Sequence, residues 1–93
     1  MIVSFKCKET EKIFNLERSK SFPPNIQQVA LRKLKMLHRA MSVTDLRIPP
    51  ANRLEKLHGS RVGQWSIRIN DQWRICFVWR NGNALEVEIV DYH

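Results

Sequence analysis

The chain has few of the features that mark secreted, membrane-spanning or disordered proteins. It has only two cysteines, Cys7 and Cys76, far apart and with no Cys-x-x-Cys spacing. In an intracellular protein such a pair reads as two buried thiols rather than a disulfide, and neither is a candidate nucleophile. The three histidines, His38, His58 and His93, share no close ligand spacing with those cysteines. No metal site and no cofactor are therefore expected. No apolar run approaches the ~20 residues of a membrane helix, and the opening Met-Ile-Val-Ser-Phe-Lys is too short for a signal peptide. A cytoplasmic location with no membrane partner is the expectation. Glycine (3) and proline (4) are too sparse for a low-complexity or linker-rich chain. Acids are scarce too: nine stand against 16 Lys and Arg, giving a net charge of +7. That balance favours polyanionic partners without identifying one.

Ninety-three residues support one core, so residues 1–93 are read as a single domain. Residues 2 to 6 suggest a strand and residues 9 to 16 a short helix carrying Ile13, Phe14 and Leu16. The segment 21 to 24 breaks the chain. Asn25 is the expected N-cap of a longer helix running to about Met41. At 100° per residue, Ile26, Val29, Ala30, Leu34, Met36, Leu37, Ala40 and Met41 form one apolar stripe. Gln28, Arg32, Lys35 and Arg39 lie opposite, either as an ordinary solvated face or as an auxiliary ridge that contacts phosphates. Lys33 falls inside the apolar arc and is expected to snorkel to solvent. Leu31 falls on the polar side, where a partner would cover it.

Beyond Ile48-Pro49-Pro50 the period changes from helical to alternating. Residues 52 to 57 form a poorly alternating strand. Residues 63 to 69 set Trp65, Ile67 and Ile69 on one face, and residues 73 to 80 do the same with Trp73, Ile75, Phe77 and Trp79. Residues 84 to 90 set Leu85, Val87 and Ile89 against Glu86, Glu88 and Val90. The expected fold is therefore α+β, with an N-terminal strand and two helices packed on one face of a twisted antiparallel sheet.

A one-residue slip would send every Trp and Ile to water, so the faces fix the register. An odd turn, Asn70-Asp71-Gln72, keeps Ile69 level with Trp73 and sets Arg68 opposite Arg74. For the next turn the dipeptide Asn81-Gly82 suggests a two-residue hairpin. That register would mix the faces, so a three-residue loop, Asn81-Gly82-Asn83, is expected, opposing Phe77 to Val87, Ile75 to Ile89 and Arg74 to Val90.

Two arginines facing each other across strands repel. Either Glu88 or Asp91 neutralises them, or a phosphate-sized anion sits between guanidinium forks. The chain ends beside Arg74 in Asp91-Tyr92-His93, which brings a carboxylate, a stacking surface and a group titrating near neutrality. Such a set suffices for RNA transesterification, in which the 2′-hydroxyl attacks the adjacent phosphorus. That reaction needs a base, an acid for the leaving 5′-oxygen and positive charge at the phosphate.

The run from Gly63 to Phe77, GQWSIRINDQWRICF, and the ending VEIVDYH over residues 87 to 93 resemble the HigB-type toxins of the RelE/ParE superfamily. The resemblance is close over residues 46 to 93, and the first half agrees in element order. It implies a small RelE-like fold and a bacterial toxin that cleaves mRNA on the ribosome, near the 16S rRNA of the A site. It also implies restraint by a helix-turn-helix antitoxin, and contact with operator DNA only through that antitoxin.

Carried over by position, His93 is the expected general acid and Arg74 the transition-state stabiliser. Tyr92 stacks on or orients a base, and Asp91 is the base or holds His93 in its working tautomer. Arg68, Lys56, Arg32, Lys35 and Arg39 are the expected RNA-binding cations. The sequence departs from the family at His58, where lysine is common, and at Glu55, where one branch has histidine. His58 either inherits a titrating role or is an exposed turn residue. The same superfamily contains ParE-like gyrase inhibitors, so gyrase poisoning is the alternative function, as is a non-catalytic role in an antitoxin–DNA repressor complex.

Overall fold

The apolar stripe of the long helix and the alternating strands need one another, since neither buries its face alone. A computed structural model describes residues 1–92 and shows how they meet. Two helices, α1 (Lys8–Phe14) and α2 (Pro24–Arg39), precede four strands: β1 (Glu55–Lys56), β2 (Gln64–Arg68), β3 (Trp73–Arg80) and β4 (Asn83–Asp91). The strands form one antiparallel sheet in the order β1-β2-β3-β4. Ala30, Leu34 and Leu37 of α2 and Ile67, Ile75, Phe77 and Val87 of the sheet are fully buried against one another. The fold is α+β, with both helices in the layer that covers this apolar face.

Several local expectations change. The N-terminal strand reduces to two isolated parallel bridges, Ile2 with Ala84 and Phe5 with Val87. Backbone bonds such as Val3 N–H to the Ala84 carbonyl (2.9 Å) hold the segment along β4. Asn25 does not cap α2. Pro24 occupies the first turn and Pro23 is the N-cap. The fixed φ of Pro24 suits that position, where a missing N–H costs nothing. At the other end Ala40 turns extended, so Met41 leaves the stripe and is exposed. The strand expected over residues 52 to 57 shrinks to Glu55–Lys56, because Pro50–Asn52 forms a 3₁₀ turn.

The second hairpin reconciles two signals that conflicted in the sequence. Arg80 pairs with Asn83, so the loop is the two-residue Asn81-Gly82, both with positive φ (53° and 77°). Such φ values belong to the tight turn that matches strand twist. Val78 pairs with Leu85 but Cys76 with Glu88, so two residues of β4, Glu86 and Val87, stand against Phe77 alone. This is a β-bulge, with Glu86 in the left-handed region (φ 54°). Beyond it the expected pairs Ile75 with Ile89 and Arg74 with Val90 are restored. Before it, the faces are exchanged: Ala84 is buried in the core, and Leu85 joins Val78 on the other side.

Lys33 does not snorkel. It is 3% exposed and its ammonium donates to Oδ1 of the fully buried Asn52. Asn52 Nδ2 in turn donates to the Leu46 carbonyl at 3.2 Å, tying α2 to the connection that leads into the sheet. Burial holds the Lys33 pKa below its ordinary value of 10.5, with Arg32 and Arg68 adding repulsion. Below the lowered value the amine is charged in both states, and the burial penalty is fully present. As pH rises through it, the folded protein releases a proton that the unfolded chain keeps until about 10.5. Stability should therefore rise with pH in that window. Urea midpoints measured from pH 8 to 10.5 should climb more steeply for the natural chain than for Lys33→Met. Parallel curves would show that Lys33 is not desolvated.

Candidate active site

The outer face of the sheet, away from the helices, is assembled by register. Glu55 pairs with Ser66, Ser66 with Cys76, and Cys76 with Glu88, so these four side chains form one row across the strands. The next row begins with the expected opposition of Arg68 to Arg74. Arg74 is 8% exposed and held from several sides. Its Nε donates to Ser66 Oγ at 2.8 Å and its Nη2 to the Arg53 carbonyl at 2.6 Å. Glu55 Oε1 stands 3.6 Å from Nη2, and the guanidinium carbon lies 5.7 Å from the centre of the Tyr92 ring. Nη1 makes no hydrogen bond among the described residues, which leaves one edge of the fork available to an anion.

Beside this group Glu88 accepts from Arg61 at 3.1 Å and pairs with Lys6 at 3.5 Å. The hydrogen bond to Glu88 raises the Arg61 pKa further. Cys76 is fully buried, and desolvation pushes its thiol up. It is an inert spacer in the row rather than a thiolate.

Tyr92 is shifted upward as well, first by burial, with Cys76 and Glu55 adding negative field and Arg74 and Arg61 opposing it. The phenol keeps its proton at neutral pH, so it can stack or donate but not act as a base. The chain has one tyrosine, so a tyrosinate absorbance titration reads this residue alone. Its midpoint should lie above the ordinary 10.0, and Glu55→Gln should lower it by removing one of the raising charges. A midpoint at or below 10 would mean that burial does not dominate at this phenol.

The other residues singled out in the sequence are dispersed. Arg68 turns to Asp71, with Nη2 to Oδ1 at 2.5 Å, and this bond lowers the Asp71 pKa. The two arginines are thus met separately, Arg68 by Asp71 and Arg74 by Glu55, while Glu88 is engaged by Arg61 and Lys6. Asp91 pairs with Trp73 and so shares its side of the strand rather than that of Tyr92; its Oδ2 accepts from Gln72 at 3.1 Å. Lys56 pairs with Trp65 and lies over its ring at 5.7 Å, on the side opposite Glu55. His58 is exposed, just before the Gly59–Arg61 turn that presents Arg61. Arg32, Lys35 and Arg39 project from α2, in the layer across the sheet from Arg74. His93 lies outside the described residues.

Glu55, Ser66 and Arg61 are the residues the sequence reading missed as members of this site. Two had a signal: alternation along residues 63 to 69 sets Ser66 on the face of Arg68, and once residues 55 and 56 pair with β2 it sets Glu55 opposite Ser66. Among the described residues no three of His, Cys, Asp and Glu are grouped so as to hold a metal ion, and no helix is long and apolar enough to cross a membrane.

Comparison with known proteins agrees with this architecture. A solved heterotetrameric complex of the YoeB–YefM toxin–antitoxin from Staphylococcus aureus contains a chain that superposes with a TM-score of 0.62 at 18% identity, covering 100% of this chain and 98% of that one. A second YoeB–YefM complex from the same organism gives a TM-score of 0.58 at 17% identity, with the same coverage. These likenesses concern the fold. In sequence, the chain is 42% identical over 86 residues to Toxin HigB-1 of Vibrio cholerae, covering 91% of this chain and 90% of that protein. It is 31% identical to Endoribonuclease HigB of Proteus vulgaris over the whole of both chains. The family described as the RelE-like toxin of type II toxin-antitoxin system HigB matches residues 3–93, and the chain belongs to that family of HigB-like toxins.

Proposed function

We propose that this toxin is an endoribonuclease that cleaves mRNA on the ribosome without a metal, and that a helix-turn-helix antitoxin restrains it. The observation that carries the reading is the seat of Arg74. A buried guanidinium is fixed by Ser66 and the Arg53 carbonyl and flanked by a carboxylate and an aromatic ring. A fork held in this way costs no reorganisation when charge develops on a phosphate. Glu55 is placed to take the 2′-hydroxyl proton, and Arg74 stabilises the pentacoordinate phosphorane through its uncommitted edge. Tyr92 offers a nucleobase a stacking surface, and His93 returns a proton to the departing 5′-oxygen. Asp91, anchored on Gln72, positions the end of β4 rather than acting as the base. His58 remains the rival base, and His58→Ala set beside Glu55→Gln tells the two apart. Arg68, opposite Arg74, is the cation that meets the polyanionic strand or the 16S rRNA around it, whereas Lys56 lies on the other face of the sheet.

Two findings on relatives support the reading: the Proteus vulgaris protein is named an endoribonuclease, and the Staphylococcus aureus structures are toxin–antitoxin complexes. The test is to add purified protein to a translation reaction at fixed magnesium and map the mRNA ends. New ends carrying a 2′,3′-cyclic phosphate are expected, unchanged by a chelator specific for transition metals. Intact mRNA, together with relaxed plasmid accumulating in a parallel gyrase reaction, would overturn the reading in favour of gyrase inhibition.

A further inference from the structure

Arg61 belongs to the connection between β1 and β2, yet its side chain is fastened to β4. The turn that carries it is bracketed by Gly59 and Gly63, both in the left-handed region with φ of 66° and 90°. Arg61 Nη1 donates to Gln64 Oε1 on β2 and to Glu88 Oε2 on β4, each at 3.1 Å. Two strand spacings separate those strands, about 10 Å of sheet. Cys76, fully buried between them on this face, lies in the field of Arg61 and of Arg74 alike. So does Tyr92.

A link that merely fastened the turn would set one cation against one carboxylate. Here Lys6 also reaches Glu88 Oε2, at 3.5 Å, so two cations meet one negative charge. Arg61 commits a single nitrogen. Its Nε and Nη2 make no hydrogen bond among the described residues, and the side chain is 31% exposed. Its position matters as much as the surplus charge. Arg74 pairs with Val90, so Glu88 lies diagonally across from it, about 7–8 Å away along the sheet. That separation is close to one nucleotide step on an extended strand. A phosphate on the open edge of Arg74 therefore brings its neighbour against Arg61, whose planar donors match phosphate oxygens.

Taking the chain as an RNA-cleaving enzyme, we infer that Arg61 forms a second phosphate subsite, which holds the RNA phosphate next to the scissile one, and that Glu88 is the positioning residue that aims it there. The subsite adds grip on any sequence, because it touches backbone and no base. It acts on binding, whereas the chemical step belongs to Arg74.

The test is single-turnover cleavage on ribosomes programmed with synthetic mRNA, at rising concentrations of the full chain. One linkage beside the scissile phosphate, on the 5′ or the 3′ side, is made a neutral methylphosphonate, with the 2′-hydroxyl next to it methylated for stability. A control mRNA carries the methyl group and an ordinary phosphate. For the natural chain, neutralising one of the two linkages should raise the half-saturating concentration about 10-fold, the scale of losing one hydrogen bond to a charged group, with the rate at saturation kept. Arg61→Gln should show the same rise on the control mRNA and no further rise on the neutral one. Arg61→Lys should recover part of the loss, and Glu88→Gln should blunt the response to the neutral linkage. If neither neutral linkage weakens the natural chain, or if the losses from Arg61→Gln and from the neutral linkage multiply, Arg61 holds no neighbouring phosphate, while the nuclease reading stands. A loss confined to the rate at saturation overturns the subsite as well. If the natural chain leaves the control mRNA whole, the nuclease reading fails and takes the subsite with it. Should Arg61→Gln melt early, the response of the natural chain to the two linkages still decides.

Discussion

Arg74→Lys should slow RNA cleavage by about 10²–10³-fold, the loss typical of removing one preorganised donor from a developing oxyanion. Lysine keeps the charge but not the fork. A single ammonium cannot hold Ser66 Oγ and the Arg53 carbonyl while presenting a further edge to a phosphate. It would be spent on its protein neighbours or on the substrate, not on both. Single-turnover cleavage at saturating ribosome concentration separates this from weaker binding, since the stabiliser acts on the chemical step. Ser66→Ala should reproduce a smaller part of the loss, because it frees the guanidinium without removing it. A lysine variant that cleaves at the natural rate would show that the seat of Arg74 is structural only.

His93→Gln should reduce turnover by on the order of 10²–10⁴-fold while RNA binding changes little, because glutamine can hydrogen-bond but cannot deliver a proton. The natural enzyme should lose rate as pH rises and its general acid gives up the proton it must deliver. The variant's residual rate should lack that limb. Binding measured by ribosome co-sedimentation serves as the control. Equal loss of binding and rate would assign His93 to substrate contact instead of proton transfer.

The strands were the most legible part of the fold, because alternating Trp and Ile positions tolerate no slip. The expected bounds of β3 and the pairing of Arg68 with Arg74 are both found. Other features depended on contacts distant in sequence. Lys33 is buried because Asn52, in a turn well beyond the helix, reaches its ammonium. No helical periodicity encodes that. The Asn81-Gly82 turn was sound evidence for a two-residue loop, and the alternation of faces was equally sound for the region beyond. The bulge at Glu86 that makes them compatible has no glycine or asparagine to announce it. In the site, the Arg74–Tyr92 neighbourhood follows from alternation along β3 and β4. Asp91 was grouped with them from its place in the chain, although the same alternation turns it to the side of Trp73.

The parallel bridges between the N-terminal segment and β4 bear on how the free protein behaves in solution. One margin of the sheet is already shielded by residues 2 to 5, and the opposite margin is a strand of two residues, one of them lysine. Neither side offers a long open ladder on which another copy could template itself. A chain of this build can stay dispersed instead of condensing into fibrils. Deleting the first six residues should therefore cost colloidal solubility before it costs activity.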